Sequence, residues 1–220
     1  MSERTEAILA ALNLTGAEHT TMNVRGTDAT IVYTPDRAEL ERRQEHGNPS
    51  VVRLDWLNLL MDLPVGHPVP FSSFRPAEYR ALNRMPLGTV DITPGGFVRQ
   101  LTHPLRVELA IVRGHQWKPG LVRASRFAPY CRRVLVLAGK PKYAILQQAA
   151  IEADVYGIGL IVNKSRTPEV VVRPGNYEKY RHTPAGWKFL EEVYQAAVSN
   201  TDASVLDTKP SAPTQLGGPR

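Results

Sequence analysis

With one cysteine, Cys131, among 220 residues, the chain has no means of building an intramolecular disulfide framework or a cysteine-based zinc site. Such sparing use of cysteine fits a reducing cytoplasm. Long apolar runs are lacking as well. The richest stretches, residues 57–63 and 157–162, are interrupted or followed by Asn, Asp and Lys and fall far short of a membrane span. The opening Met1-Ser-Glu-Arg-Thr-Glu6 carries acids where a secretion signal carries a basic stretch leading into an apolar one. Neither export nor membrane insertion is expected. The familiar nucleotide and hydrolase signatures are missing: no Gly-x4-Gly-Lys-Ser/Thr, no Gly-x-Gly-x-x-Gly, no Gly-x-Ser-x-Gly and no His-Glu-x-x-His. The six histidines, His19, His46, His67, His103, His115 and His182, never stand at metal-ligand spacing and read as surface or loop residues. The charge of Arg132 and Arg133 would favour a thiolate at Cys131, but a nucleophile also needs a positioned base. A small buried thiol at a helix–strand junction is the plainer reading.

What the chain does have is an uneven distribution of positive charge. The totals, 27 Lys and Arg against 21 Asp and Glu, are only mildly basic. Between Arg99 and Lys142, however, stand Arg99, Arg106, Arg113, Lys118, Arg123, Arg126, Arg132, Arg133, Lys140 and Lys142 against one acid, Glu108. That stretch is +9, so with the whole chain at +6 the remainder is −3. A surface that meets polyanions has this character, because each neutralised phosphate releases counterions. The expected partner is nucleic acid, DNA in particular; the competing reading is an acidic protein partner. Trp117, beside Lys118 in an expected loop, is the aromatic best placed to stack on a base. Phe127 and Tyr130, three positions apart, read instead as packing a helix on its sheet.

Periodicity organises the chain. Residues 2–14 read as an amphipathic helix, 13–28 as polar and loop-rich, 29–34 as a β-branched strand, and 35–46 as a charged helix opened by Pro35. Residues 51–63 fit either strand or helix. The proline-rich stretch 64–70 reads as a loop and a boundary, and a short helix is expected at 76–84. Residues 88–92 and 97–101 flank Thr93-Pro-Gly-Gly96 as a hairpin. Apolar strands at 105–113, 133–138 and 157–162 alternate with helices at 119–130 and 141–155, and an edge strand is expected at 169–173. Thr183 and Pro184 cap a last helix striped with Trp187, Leu190, Val193, Tyr194 and Ala197. Tyr180-Arg-His-Thr-Pro-Ala-Gly-Trp resembles the approach to the last helix of some winged-helix proteins, although a plain capped helix explains it. Strands apolar throughout and alternating with helices predict an α/β fold, a mixed sheet flanked by helices. The expected organisation is an N-terminal α/β segment over 1–70, an α/β core with its C-terminal helix over 71–198, and a disordered tail over 199–220.

The chemistry of most interest lies in two acids, Asp91 on the hairpin and Glu108 on the following strand. If they met at a sheet edge they could share a divalent metal, and a carboxylate-held Mg2+ is what phosphodiester hydrolysis requires. The bland alternatives are that Asp91 starts its turn through Thr93 and that Glu108 makes an exposed ion pair with Arg106. Arg106-Val-Glu108-Leu-Ala-Ile, residues 121–130, Arg133-Val-Leu-Val-Leu and Gly157-Ile-Gly-Leu-Ile-Val, in that order, resemble the segments of the PD-(D/E)XK nuclease-like family. The resemblance covers about residues 88–173. It implies a restriction-endonuclease-like core in the order helix, hairpin, acid-bearing strand, helix, strand, helix, strand. It would make Asp91 and Glu108 metal-binding catalytic residues. The chain departs from the family pattern at three points: Ala110 stands where the family has its catalytic lysine, Ser125 is the nearest polar residue where a glutamine is usual, and no proline precedes Asp91. Taken with the basic stretch, the expected function is a DNA-associated accessory or regulatory protein that does not cleave, with nucleic-acid-binding residues Arg99, Arg106, Arg113, Lys118, Arg123, Arg126, Arg132 and Arg133 for phosphates and Trp117 for stacking. The alternatives are an active Mg2+-dependent nuclease using Asp91 and Glu108, and a module that docks an acidic protein.

Overall fold

A computed structural model describes residues 3–139, 141–164, 167–178 and 182–206. Helix α1 (Glu3–Ala11) precedes a hairpin of β1 (Glu18–Val24) and β2 (Thr27–Pro35). Its two-residue turn, Arg25-Gly26, has positive φ at both positions, 49° and 74°, the geometry whose twist matches that of paired strands. Asn23 braces the turn, donating to Asp28 at 2.7 Å and accepting from the Gly26 N–H at 3.0 Å. Helix α2 (Arg37–Gln44) follows, its N-terminus capped by the Asp36 carboxylate, which accepts from the Glu39 N–H.

A smaller unit comes next: α3 (Leu54–Met61), β3 (Pro68–Val69), a 3-10 turn at Phe71–Ser73, α4 (Pro76–Leu82), β4 (Val90–Thr93) and β5 (Gly96–Arg99). The chain then runs β6 (Leu105–Gly114), α5 (Trp117–Ser125), β7 (Arg132–Ala138), α6 (Tyr143–Val155), β8 (Ile158–Lys164), β9 (Thr167–Val172) and α7 (Pro184–Leu206).

These elements form a mixed six-stranded sheet in the order β1-β2-β6-β7-β8-β9, flanked by helices, and a three-stranded sheet in the order β3-β5-β4. The β6–β7 and β7–β8 pairs are parallel; the other pairs are antiparallel. Parallel neighbours need a crossover, and α5 and α6 supply both on one face. There Leu121, Ala124, Ala149 and Ala153 pack with Phe189, Leu190 and Val193 of α7 against Ala110, Val112, Leu135 and Leu137. Alternate residues of the same strands, Leu109, Ile111, Val134 and Val136, point to the other face and meet Ile8 and Leu9 of α1 and Leu12 just after it. The small sheet has its own core of Leu57, Leu60, Leu82, Phe97 and Leu101, closed by Trp187 of α7. Phe71, Phe74 and Tyr79 meet the Phe97 ring edge-on at 5.0, 5.4 and 5.2 Å. Gly96, at φ 130°, is irreplaceable here, because a Cβ would lie 1.9 Å from the Val69 carbonyl oxygen.

Several expectations need correction. The polar stretch 13–28 is not loop: Glu18–Val24 is the edge strand β1, held by pairing along the whole of β2 rather than by an apolar pattern. The N-terminal strands are part of the main sheet, since β2 pairs directly with β6. The proline-rich stretch is not a plain loop at a boundary; Pro68–Val69 pairs with β5 as β3, at a sheet edge where a missing N–H is tolerated. Within residues 51–63 the structure forms helix, α3, over Leu54–Met61 and no strand. Helix α5 begins at Trp117, two residues early, because a proline in a first turn forfeits no intrahelical bond. Helix α7 continues through Leu206, beyond the expected start of a tail at 199, and residues 207–220 lie outside the described residues. So do Lys140 and most of the approach to α7, residues 179–181. Among the described residues no helix is long and apolar enough to cross a membrane.

One buried ionic cluster ties these elements together. The fully buried Arg43 of α2 donates from Nη1 and Nη2 to the two carboxylate oxygens of Glu191 on α7, both at 2.8 Å. Its Nε donates to Glu39 at 2.7 Å, and its remaining hydrogens reach the Pro49 and Thr102 carbonyls at 3.1 and 2.9 Å. Glu191 also accepts from Trp187 Nε1 at 3.0 Å and from the Val51 N–H at 3.1 Å. Burial alone would lower the Arg43 pKa, but Glu191 and Glu39 outweigh it and hold the guanidinium above its ordinary value. Burial likewise works against ionisation of Glu39, and Arg42 and Arg43 overcome it, leaving that carboxyl below its ordinary value. Removing one partner strands a buried charge, so Glu191→Ala is expected to cost about 3–5 kcal/mol in urea unfolding. A depressed Glu39 carboxyl contributes stability above its unfolded pKa, and that stability is lost as pH falls through the lower folded value. Urea midpoints measured down the acid range are expected to fall less steeply in Glu39→Gln than in the unsubstituted protein.

Candidate functional site

The basic stretch that is contiguous in sequence is scattered in space, and much of it is engaged inside the fold. Arg99 is interior: it donates to the carbonyls of Leu60, Leu63 and Leu101 at 2.9, 3.2 and 2.8 Å and stacks over the Trp187 ring at 4.5 Å. Burial pulls its pKa below the ordinary arginine value. Arg113 ties β6 to its neighbours, donating to Thr30 and to Thr5 of α1 at 2.8 and 2.9 Å. Arg126 clamps the β1–β2 turn through the Arg25 carbonyl and the Thr27 hydroxyl. Arg123 and Arg133 donate to the carbonyls of Arg113 and Tyr156. Lys118 lies over the ring of Trp117, which is itself half-buried against the core. Phe127 is buried and Tyr130 stacks on Phe189 at 4.4 Å, so both aromatics pack the helix side of the sheet as expected.

The two acids are not brought together. Asp91 sits on the small sheet and accepts from Gln100 Nε2 at 2.7 Å. Glu108 sits on β6 of the main sheet. Its position is set by an irregularity in strand pairing: Val32 faces Leu109 while Tyr33 faces Val107, leaving Glu108 as the extra residue of a β-bulge. Its carboxylate accepts from Thr34 Oγ1 at 3.2 Å and pairs with Arg106 at 2.7 Å, with Arg132 Nη2 3.9 Å away. Arg132 also donates to the Glu108 carbonyl at 3.2 Å. The pair with Arg106 is thus one member of a network. Among the described residues no group of three or more His, Cys, Asp or Glu side chains could hold a metal ion.

Around this bulge opens a cavity of about 690 Å3, at the C-terminal end of β2 and the N-terminal ends of β6 and β7. Its wall combines Arg37, Arg106 and Arg132 with Asp36, Glu108, His103, His182, Tyr130 and Tyr177. The His103 and His182 rings stack at 5.1 Å with planes 10° apart, and His103 meets the Trp187 ring edge-on at 5.0 Å. Tyr177 donates its hydroxyl hydrogen to the Pro129 carbonyl at 2.7 Å, and Arg37 pairs with Glu18. The Arg106 side chain is 77% exposed and that of Arg37 70%, so both can swing onto a ligand at little cost. Three guanidinium groups against two carboxylates leave the wall cationic.

No family model, curated protein or solved structure matches this chain. Anions fit a cavity edged by exposed arginines, its size suits a nucleotide-sized group, and its tyrosines offer apolar ring surface.

Only Arg106, Arg132, Glu108, His103 and Tyr130 among these wall residues stand in the basic, acid-poor stretch 99–142. Arg37, Tyr177 and His182 come from distant segments, and no motif spacing announces them or His103. The one local signal for Arg37 is its place directly after the Asp36 cap. Cys131 is fully buried, and burial pushes its thiol up to about 12, against the opposing influence of Arg133, the Ala110 backbone and Arg132. It is the inert buried thiol of the plainer reading. Titration with a thiol reagent at neutral pH is expected to label Cys131 only after denaturation.

Proposed function

We propose that this protein binds nucleic acid and does not cleave it, holding backbone phosphates in the cavity around Arg37, Arg106 and Arg132. The observation that carries the proposal is the convergence of those three guanidinium groups, two imidazoles and two tyrosines on one opening of nucleotide size. Phosphates take the arginines, and an unstacked base or sugar takes the ring surface. A continuous basic band over residues 99–142 gives way to a smaller and more selective contact.

In support of a restriction-endonuclease-like ancestry stands the chain order α4, β4–β5, β6, α5, β7, α6, β8, the order that the resemblance implies, with Glu108 on the strand after the hairpin. Against it, the β4–β5 hairpin with Asp91 belongs to the small sheet and not to the sheet of β6. In support of lost catalysis, Ala110 is fully buried in the position of the family lysine, and Glu108 is already paired with arginines rather than free to hold a metal.

Anisotropy of labelled single- and double-stranded DNA tests the reading. With three phosphate contacts, affinity is expected to fall about fortyfold between about 50 and about 200 mM salt. In Arg37→Ala with Arg106→Ala the slope is expected to lose about two contacts' worth of salt dependence. Unchanged binding in that double variant would move the interface elsewhere, and the absence of any salt-sensitive DNA binding would leave an acidic protein as the partner. Mg2+-dependent cleavage lost in Glu108→Ala would replace the binding role with catalysis.

A further inference from the structure

Helix α6 presents to solvent a face unsuited to solvent. Ala149 and Ala153 are fully buried against the sheet. The opposite side carries Ala144, Gln148, Ile151 and Val155, spaced four, three and four, which is the seam of a helix pair packing knobs into holes. Ile151 is 66% exposed, Val155 75%, and the flanking Tyr143 76%. An outward helix face is ordinarily covered by charge, yet α6 contains no lysine or arginine, and its acids, Glu152 and Asp154, both lie in its last turn.

The few charges present are also placed against the helix dipole. Lys142 occupies the N-cap, at the positive end, and Glu152 and Asp154 sit at the negative end. Each is mildly unfavourable on an isolated helix. A second α6 running antiparallel cures both defects, because each Lys142 end then lies beside the partner's Glu152–Asp154 end while Ile151 and Val155 leave water. A parallel arrangement would set like charges together.

We infer that α6 is a self-association face, on which two copies of this chain dock their α6 helices antiparallel about a two-fold axis. The occupant is a second copy rather than the chain's own C-terminal residues, since 207–220 contain one large apolar residue, Leu216, too little to cover the seam. The inference is independent of the proposed phosphate cavity, which uses other elements.

Sedimentation of the full chain between about 1 and about 200 µM tests it, the range suited to a dissociation constant near micromolar. The expected result is a concentration-dependent dimer. Ile151→Glu is expected to raise the dissociation constant at least about tenfold, with the melting of the monomer unchanged because the side chain is exposed there. Lys142→Glu alone, and Glu152→Lys with Asp154→Lys alone, are each expected to be monomeric, whereas their mixture pairs, both charge contacts being restored. A monomer throughout the range, a dimer indifferent to Ile151→Glu, or a mixture that fails to pair would each overturn the inference, the last two by placing the contact elsewhere or in the parallel sense.

Discussion

Arg43 is completely shielded from water, and a guanidinium so placed is tolerable only when every donor finds an acceptor. Here the acceptors come from four regions of the chain: Glu39 one turn earlier on α2, Glu191 on α7, the Pro49 carbonyl before α3 and the Thr102 carbonyl before β6. The main sheet, its long C-terminal helix and the small sheet therefore cannot shift independently without stranding a charge. Trp187 extends the same constraint. Its indole donates to Glu191, its ring closes the small core, and Arg99 stacks over it.

The same node orders one wall of the cavity. His103 follows Thr102, whose carbonyl Arg43 holds, and the His103 ring rests on Trp187. Across the opening, the bulge at Glu108 turns a carboxylate out of the regular alternation and draws Arg106 and Arg132 toward one another. Neither arrangement arises from one motif. A structural ion cluster and a pairing irregularity, about sixty-five residues apart in sequence, place His103 and two arginines around one opening.

Charge counted along the chain therefore overstates the cationic surface that the fold exposes. Arginine serves two purposes here. Arg43, Arg99, Arg113 and Arg126 use their donors on backbone carbonyls and threonine hydroxyls within the fold. Arg37 and Arg106 remain at the surface with their heads exposed. A net charge cannot tell one use from the other, because the distinction lies in what each guanidinium faces.

The amino-acid sequence by itself determined the elements whose signal is local. Apolar runs marked β6, β7 and β8, Thr93-Pro-Gly-Gly96 marked the β4–β5 hairpin, and Thr183-Pro184 marked the start of α7; each rests on side-chain period, turn geometry or capping within a few residues. It was silent on β1, whose polar residues become a strand only because β2 offers a partner. It placed Asp91 near Glu108 because the two are close in sequence, whereas the chain order of the sheets separates them. Only the tertiary structure decided which arginines are taken up by backbone carbonyls, and that His103 and His182 stack at one opening. Contacts between residues so far apart depend on strand order and register, which are settled by the packing of the whole sheet and leave no trace in local pattern.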